Sequence, residues 1–126
     1  MGLAELLAAY NAAHGPDPAA VTRSPDGVLV LLSGELDMRV SNDLAPILDA
    51  ALQDCSPGGR LLLDLSKVTY IASMGVGLLT NLMGKAERQS IRLVLVDIPP
   101  RVRKIMEVLG LMAFFNEERR EGVEPP

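Results

Sequence analysis

Few residues in this chain could do chemistry. Ser73 stands alone as a reactive hydroxyl in "TYIASMGVGLL", where an apolar run ends and a glycine-punctuated segment begins. A serine nucleophile needs an adjacent base, and no histidine is placed to serve. The one histidine, His14, lies in a polar, glycine-bounded segment and is expected in solvent. A Ser–Lys pair would have to draw on Lys67 or Lys85, both expected as isolated, solvated charges. The carboxylates Glu35, Asp37, Asp64 and Asp97 fall near expected strand ends. Acid–base work would require two of them in one cleft, which spacing alone does not bring about. The single cysteine, Cys55, excludes an internal disulfide, and no ligand spacing fits a zinc or iron site. Gly75 and Gly77 form "GVG", but no phosphate loop is completed: G-x-x-x-x-G-K-[ST] is missing, and Thr80 stands where G-x-G-x-x-G needs glycine. The residues predict no metal, no cofactor and no enzyme.

The elements that would position Ser73 can be read from patterning. The chain has 126 residues, 48% of them hydrophobic and 22% charged, which fits one globular domain. Aromatic residues are 3% and tryptophan is absent, so the core must be aliphatic. The net charge of −4, with no basic tail, argues against a nucleic-acid partner. No apolar run is long enough to span a bilayer, no charged n-region precedes an apolar stretch, and Leu6 stands where a myristoylation signal needs Ser or Thr. A cytoplasmic protein without membrane insertion is the expectation.

Leu3, Leu6, Leu7 and Tyr10 predict a short amphipathic helix over 3–13, ended by Gly15 and Pro16; it either docks on the domain or pairs with a partner. Residues 17–36 predict a hairpin around the turn "SPDG". Leu44, Ile47, Leu48, Ala51 and Leu52 form a helix stripe, with Ser41, Asn42 or Asp43 as N-cap and Pro46 in the first turn. "LLLDL" and "IRLVLVD" are continuous apolar runs, as strands covered on both faces are. A helix is expected over 74–89, and another from Pro99–Pro100 to a C-terminal stop at Gly110. "LMAFF" reads as an edge strand or a docked tail, followed by frayed residues. The domain plan is an extension over 1–16, a body over 17–116 and a disordered tail over 117–126. The fold class is α/β: a small, mixed, mostly parallel sheet with an N-terminal hairpin, helices and an extra N-terminal helix.

Read alone, Ser73 is a helix N-cap. Its position invites more, because open α/β sheets present ligands and partners to loops at the carboxyl ends of strands. A phosphate there would suit the helix N-terminus yet add nearly two negative charges against a docked partner.

Three stretches, "SGELD" (33–37), "LLLDLSKVTYIASMGVGLL" (61–79) and "LVLVDIPPRVRKIMEVLGL" (93–111), together resemble the STAS domains, of the bacterial anti-sigma factor antagonist type. The similarity covers roughly residues 20–116. It implies a regulatory protein that binds an anti-sigma factor or related serine kinase, is switched off by phosphorylation, and is restored by a serine phosphatase. Ser73 matches the phosphorylated serine, Gly75 and Gly77 the family glycines, and Asp37 an acidic residue beside the site; read by itself, Asp37 either caps the next helix or is solvated. The partner surface it implies is Asp37, Ala72, Ser73, Met74, Gly75 and Val76. Two positions depart: Ala72 replaces an acidic residue and Met74 a second serine. They favour the alternative, a phosphorylation-independent STAS module such as a stress-complex scaffold or a membrane-transport subunit. Self-association is left open. The Arg101, Arg103, Lys104 cluster reads as a solvated helix face.

Overall fold

The computed structural model describes residues 2–119. One five-stranded sheet runs in the order β1-β2-β3-β4-β5. Strands β1 (Ala20–Ser24) and β2 (Gly27–Leu36) form the antiparallel hairpin, turning at Pro25–Asp26. Strands β3 (Arg60–Ile71), β4 (Arg92–Val96) and β5 (Asn116–Glu118) then add in parallel. Helix α1 (Leu3–Ala13) precedes the hairpin, and helices α2 (Met38–Gln53), α3 (Ser73–Arg88) and α4 (Pro100–Val108) fill the connections between the parallel strands. The expected mixed, mostly parallel α/β sheet with its N-terminal hairpin and extra helix is therefore what forms.

The core is aliphatic, as composition requires. Val28, Val30 and Leu32 of β2, Leu61, Leu63 and Leu65 of β3, and Leu93 and Leu95 of β4 meet the buried stripes of all four helices. Leu44, Ile47, Leu48, Ala51 and Leu52 form the α2 stripe, each at most 1% exposed. Helix α4 ends in a Schellman arrangement. The Leu111 N–H donates to the Met106 carbonyl and the Gly110 N–H to that of Glu107, with Gly110 at φ +72°.

Several expectations are corrected. Helix α2 starts at Met38, well before Ser41–Asp43, because Asp37 caps it: its Oδ1 accepts from the Val40 N–H at 2.9 Å. Pro46 consequently lies inside the helix rather than in its first turn. It is exposed, so water can satisfy the carbonyl its ring leaves without a donor. Two-sided burial holds in β4, where Val94 and Val96 are buried along with Leu93 and Leu95. In β3 it holds less evenly: Leu61, Leu63, Asp64 and Leu65 are buried, but Leu62 is only half-buried and lies outside the core cluster. "LMAFF" becomes a 3-10 turn, Met112–Phe114, and the edge strand follows at Asn116–Glu118. Residues 117 and 118 of the expected tail are therefore strand, and the part from 120 on lies outside the described residues.

Candidate functional site

The register of β2 and β3 builds the site. Leu36 pairs with Ile71, and the Ala72 N–H donates to the Leu36 carbonyl at 3.1 Å. The residues that follow, Asp37 and Ser73, therefore leave the carboxyl ends of neighbouring parallel strands side by side. Each opens a helix. Asp37 is committed as the α2 cap, whereas the N-cap of α3 is Ala72, which has no side chain to give.

Ser73 is thus the first residue of α3, not its cap. Its side chain is exposed and makes no hydrogen bond among the described residues. The helix starts through backbone alone, the Val76 N–H donating to the Ala72 carbonyl at 3.0 Å. N–H groups of the first turn are left for water or an anion.

Gly75 explains why the two helix starts can lie so close. A Cβ at this position would lie 2.7 Å from the Leu36 carbonyl oxygen and 2.8 Å from Ile71 Cγ1. The first turn of α3 packs directly on the end of β2, and only a residue without a side chain fits. Val76 is buried behind it, while Met74 projects outward. Of the expected partner surface, Asp37, Ala72, Ser73 and Met74 reach the protein exterior; Gly75 and Val76 are buried and shape the loop.

An apolar surface surrounds the hydroxyl. Tyr70 (45% exposed), Met74 (47%), Val108 (75%) and Leu109 (51%) are large hydrophobic residues left open to solvent. A groove of about 270 Å³ runs between the end of β3 and α4, lined by Tyr70, Ile71, Ser73, Lys104, Ile105, Val108 and Leu109. Met38, also exposed, follows Asp37. Sequence reading named Met74 but missed the α4 wall. Leu109 continues the Val102, Ile105, Met106 stripe, so patterning assigns it to the core; the helix ends before that position is covered.

The other expected candidates are distributed elsewhere. Glu35 and Asp37 do line one cleft, of about 440 Å³, with Asp17, Arg39, Tyr10 and His14. Asp64 is buried in the sheet, its Oδ1 accepting from the Ser66 N–H at 2.9 Å. Asp97 lies in the β4–α4 turn at φ +54°. Cys55 is a buried free thiol, its pKa raised by burial. Lys85 pairs with Asp49 at 3.0 Å, and Arg103 donates to both carboxylate oxygens of Glu117. The basic cluster of α4 is therefore only partly a solvated face. No group of residues able to hold a metal occurs among the described residues.

His14 is the clearest miss. It is 8% exposed, stacks on Tyr10 with ring centroids 4.2 Å apart, and its Nε2 meets Asp43 Oδ2 at 2.8 Å. Helix α1 docks on α2 with Leu3 and Tyr10 buried, which answers the choice that sequence left open. Burial first, and Asp43 next, push the Tyr10 phenol up to about 12. A docked neighbour twenty-nine residues away converted a polar loop histidine into a buried one.

Comparison with known proteins adds the family. A family model described as "Mlab, STAS domain" matches residues 19–115. An anti-sigma factor antagonist from Mycobacterium paratuberculosis is 26% identical, with a TM-score of 0.66 over 80% of this chain and 84% of that one. The phosphorylated form of the Bacillus cell fate determinant SpoIIAA is 21% identical, with a TM-score of 0.62 over 82% and 93%. A sulfate transporter family protein from Wolinella succinogenes is 17% identical, with a TM-score of 0.60 over 70% of each chain. No helix among the described residues is long and apolar enough to cross a membrane. With a family match running from the hairpin to the end of the 3-10 turn, and a strand-to-helix loop in which Gly75 fixes the exposed Ser73 beside Asp37, this chain belongs to the STAS domain family.

Proposed function

We propose that this chain is a non-enzymatic switch of the anti-sigma factor antagonist type. It docks on an anti-sigma factor that is itself a serine kinase, through Asp37, Ala72, Ser73 and Met74 on a loop shaped by Gly75 and Val76. Binding sequesters that partner and frees a sigma factor. The observation that carries the reading is the exposed, unbonded Ser73 hydroxyl on the first residue of α3, framed by Asp37 and by solvent-exposed apolar side chains.

The chemistry belongs to the partner. Ser73 Oγ forms a bond to the γ-phosphorus of the kinase's ATP while the bond from that phosphorus to the β–γ bridging oxygen breaks. ADP leaves, and the hydroxyl proton passes to a base of the kinase. The product carries nearly two negative charges where an apolar contact had been made, and desolvating them is costly. The fold is left intact because the modified residue is outside the core. A metal-dependent serine phosphatase reverses the step: water attacks phosphorus, Ser73 Oγ departs with a proton, and inorganic phosphate is released.

Incubation with ATP and the co-encoded kinase should add one phosphate, absent in Ser73→Ala, and weaken the complex at least tenfold. Phosphate at another residue, or none with any co-encoded kinase, would sink this reading.

Ala72 and the half-exposed Met74 favour a second reading, a constitutive STAS module in a stress-complex scaffold or a transport assembly. Under it, Ser73→Ala and Ser73→Glu both leave partner binding unchanged, while Met74→Lys abolishes it.

A further inference from the structure

The groove beside Ser73 is apolar but for one cation. Lys104 lines it from α4, is exposed, and makes no ion pair among the described residues. Of the other α4 cations, Arg103 is committed to Glu117, and the exposed Arg101 does not line this groove. A charge without a counter-ion, across a 270 Å³ groove from an unbonded hydroxyl, is the arrangement that a phosphate on that hydroxyl would complete.

We infer that Lys104 is the receptor for a phosphate carried by Ser73, and that the resulting ion pair closes the groove. This rests on the reading of Ser73 as the modified group. Two titratable groups line the groove with Ser73, the Tyr70 phenol from β3 and the Lys104 ammonium from α4, while the Asp37 carboxylate lines the neighbouring cleft at the start of α2. Asp37 is bonded to the Val40 N–H at the start of α2, so its charge disfavours a phosphate leaning to that side. Lys104 attracts it toward the groove. The phosphate then lies over Ile105, Val108 and Leu109, the apolar surface a partner would use. Phosphorylation in this scheme does two things: it brings charge to the loop, and it withdraws both the groove and its cation.

The experiment uses the full chain with phosphoserine installed at position 73 during translation. The phosphate's second ionisation is followed by phosphorus NMR in three proteins: wild type, Lys104→Gln and Lys104→Arg. An adjacent ammonium favours the dianion, so the wild-type phosphate should ionise about half a pH unit below that of Lys104→Gln, the shift an exposed ion pair gives. Lys104→Arg should retain the shift, and salt near ~1 M should erase it. Amide resonances of Ile105, Val108 and Leu109 should move on phosphorylation in wild type but not in Lys104→Gln. Identical titrations in wild type and Lys104→Gln would overturn the inference, leaving the α3 N-terminus as the phosphate's support. Amide shifts confined to the first turn of α3 would overturn it too. Because no kinase takes part, failure here is distinct from failure of the switch itself.

Discussion

Two regions on either side of Asp37 are built to opposite rules. Toward α1 the surface closes on itself. Tyr10 is buried, His14 is stacked on it and bonded to Asp43, and Asn11 exchanges two hydrogen bonds with the Ala19 backbone, at 2.8 and 3.0 Å. Toward α4 the surface stays open. Ser73 has no partner among the described residues, α3 has no side-chain cap, and Tyr70, Met74, Val108 and Leu109 face water. Contiguous exposed apolar side chains of this kind mark interaction sites rather than scattered surface residues. The difference teaches where to look for a partner: where the chain has declined to satisfy its own groups.

The contrast can be broken by substitution on each side. Tyr10→Ala removes a buried aromatic and should cost about 3 kcal/mol of stability, while Leu109→Ala should stay within about 0.5 kcal/mol. Equal costs in urea unfolding would mean that the two regions do not differ as described.

The same boundary runs through the first turns of α3. Gly75→Ala forces a Cβ against the Leu36 carbonyl and should cost about 2 kcal/mol. Nothing lies within 4 Å of a Cβ built at Gly77, so Gly77→Ala should raise stability by about 0.5–1 kcal/mol through helix propensity alone. Thermal unfolding of the two variants sharpens the point, since both are glycines of one helix two residues apart.

A smaller loss than that at Tyr10 or Gly75 belongs to the boundary residue. Asp37→Ala should cost about 1 kcal/mol as a lost cap, with Asp37→Asn recovering most of it, because the amide oxygen still accepts from Val40. If Asp37 also reads the partner, Asp37→Asn will be stable yet impaired in binding, which calorimetry separates from folding.

How much of this was legible in advance differs by element. The strand and helix order followed from periodicity, because buried stripes repeat at fixed intervals. The α2 start did not. Asp37, Ser41, Asn42 and Asp43 all offered cap chemistry of similar quality, but it is Asp37 that reaches the Val40 N–H, while Ser41 is drawn into the core at 3% exposure. Ser73 was legible as a loop residue at a strand's carboxyl end; that it begins α3 rather than caps it depends on where Ala72 bonds to β2.

The sequence by itself determined the α/β class, the aliphatic core, the hairpin turn, the stop at Gly110 and the position of Ser73 at a strand-to-helix junction. These are local: they depend on spacing and residue type within a few turns of chain. Only the tertiary structure decided how strand register sets Asp37 beside Ser73, as the family resemblance had implied, that His14 is buried against Asp43, and that Lys104 and Ser73 line one apolar groove. Those facts depend on strand register and on which helix docks where, so they join residues twenty-nine to thirty-six positions apart whose proximity no local pattern encodes.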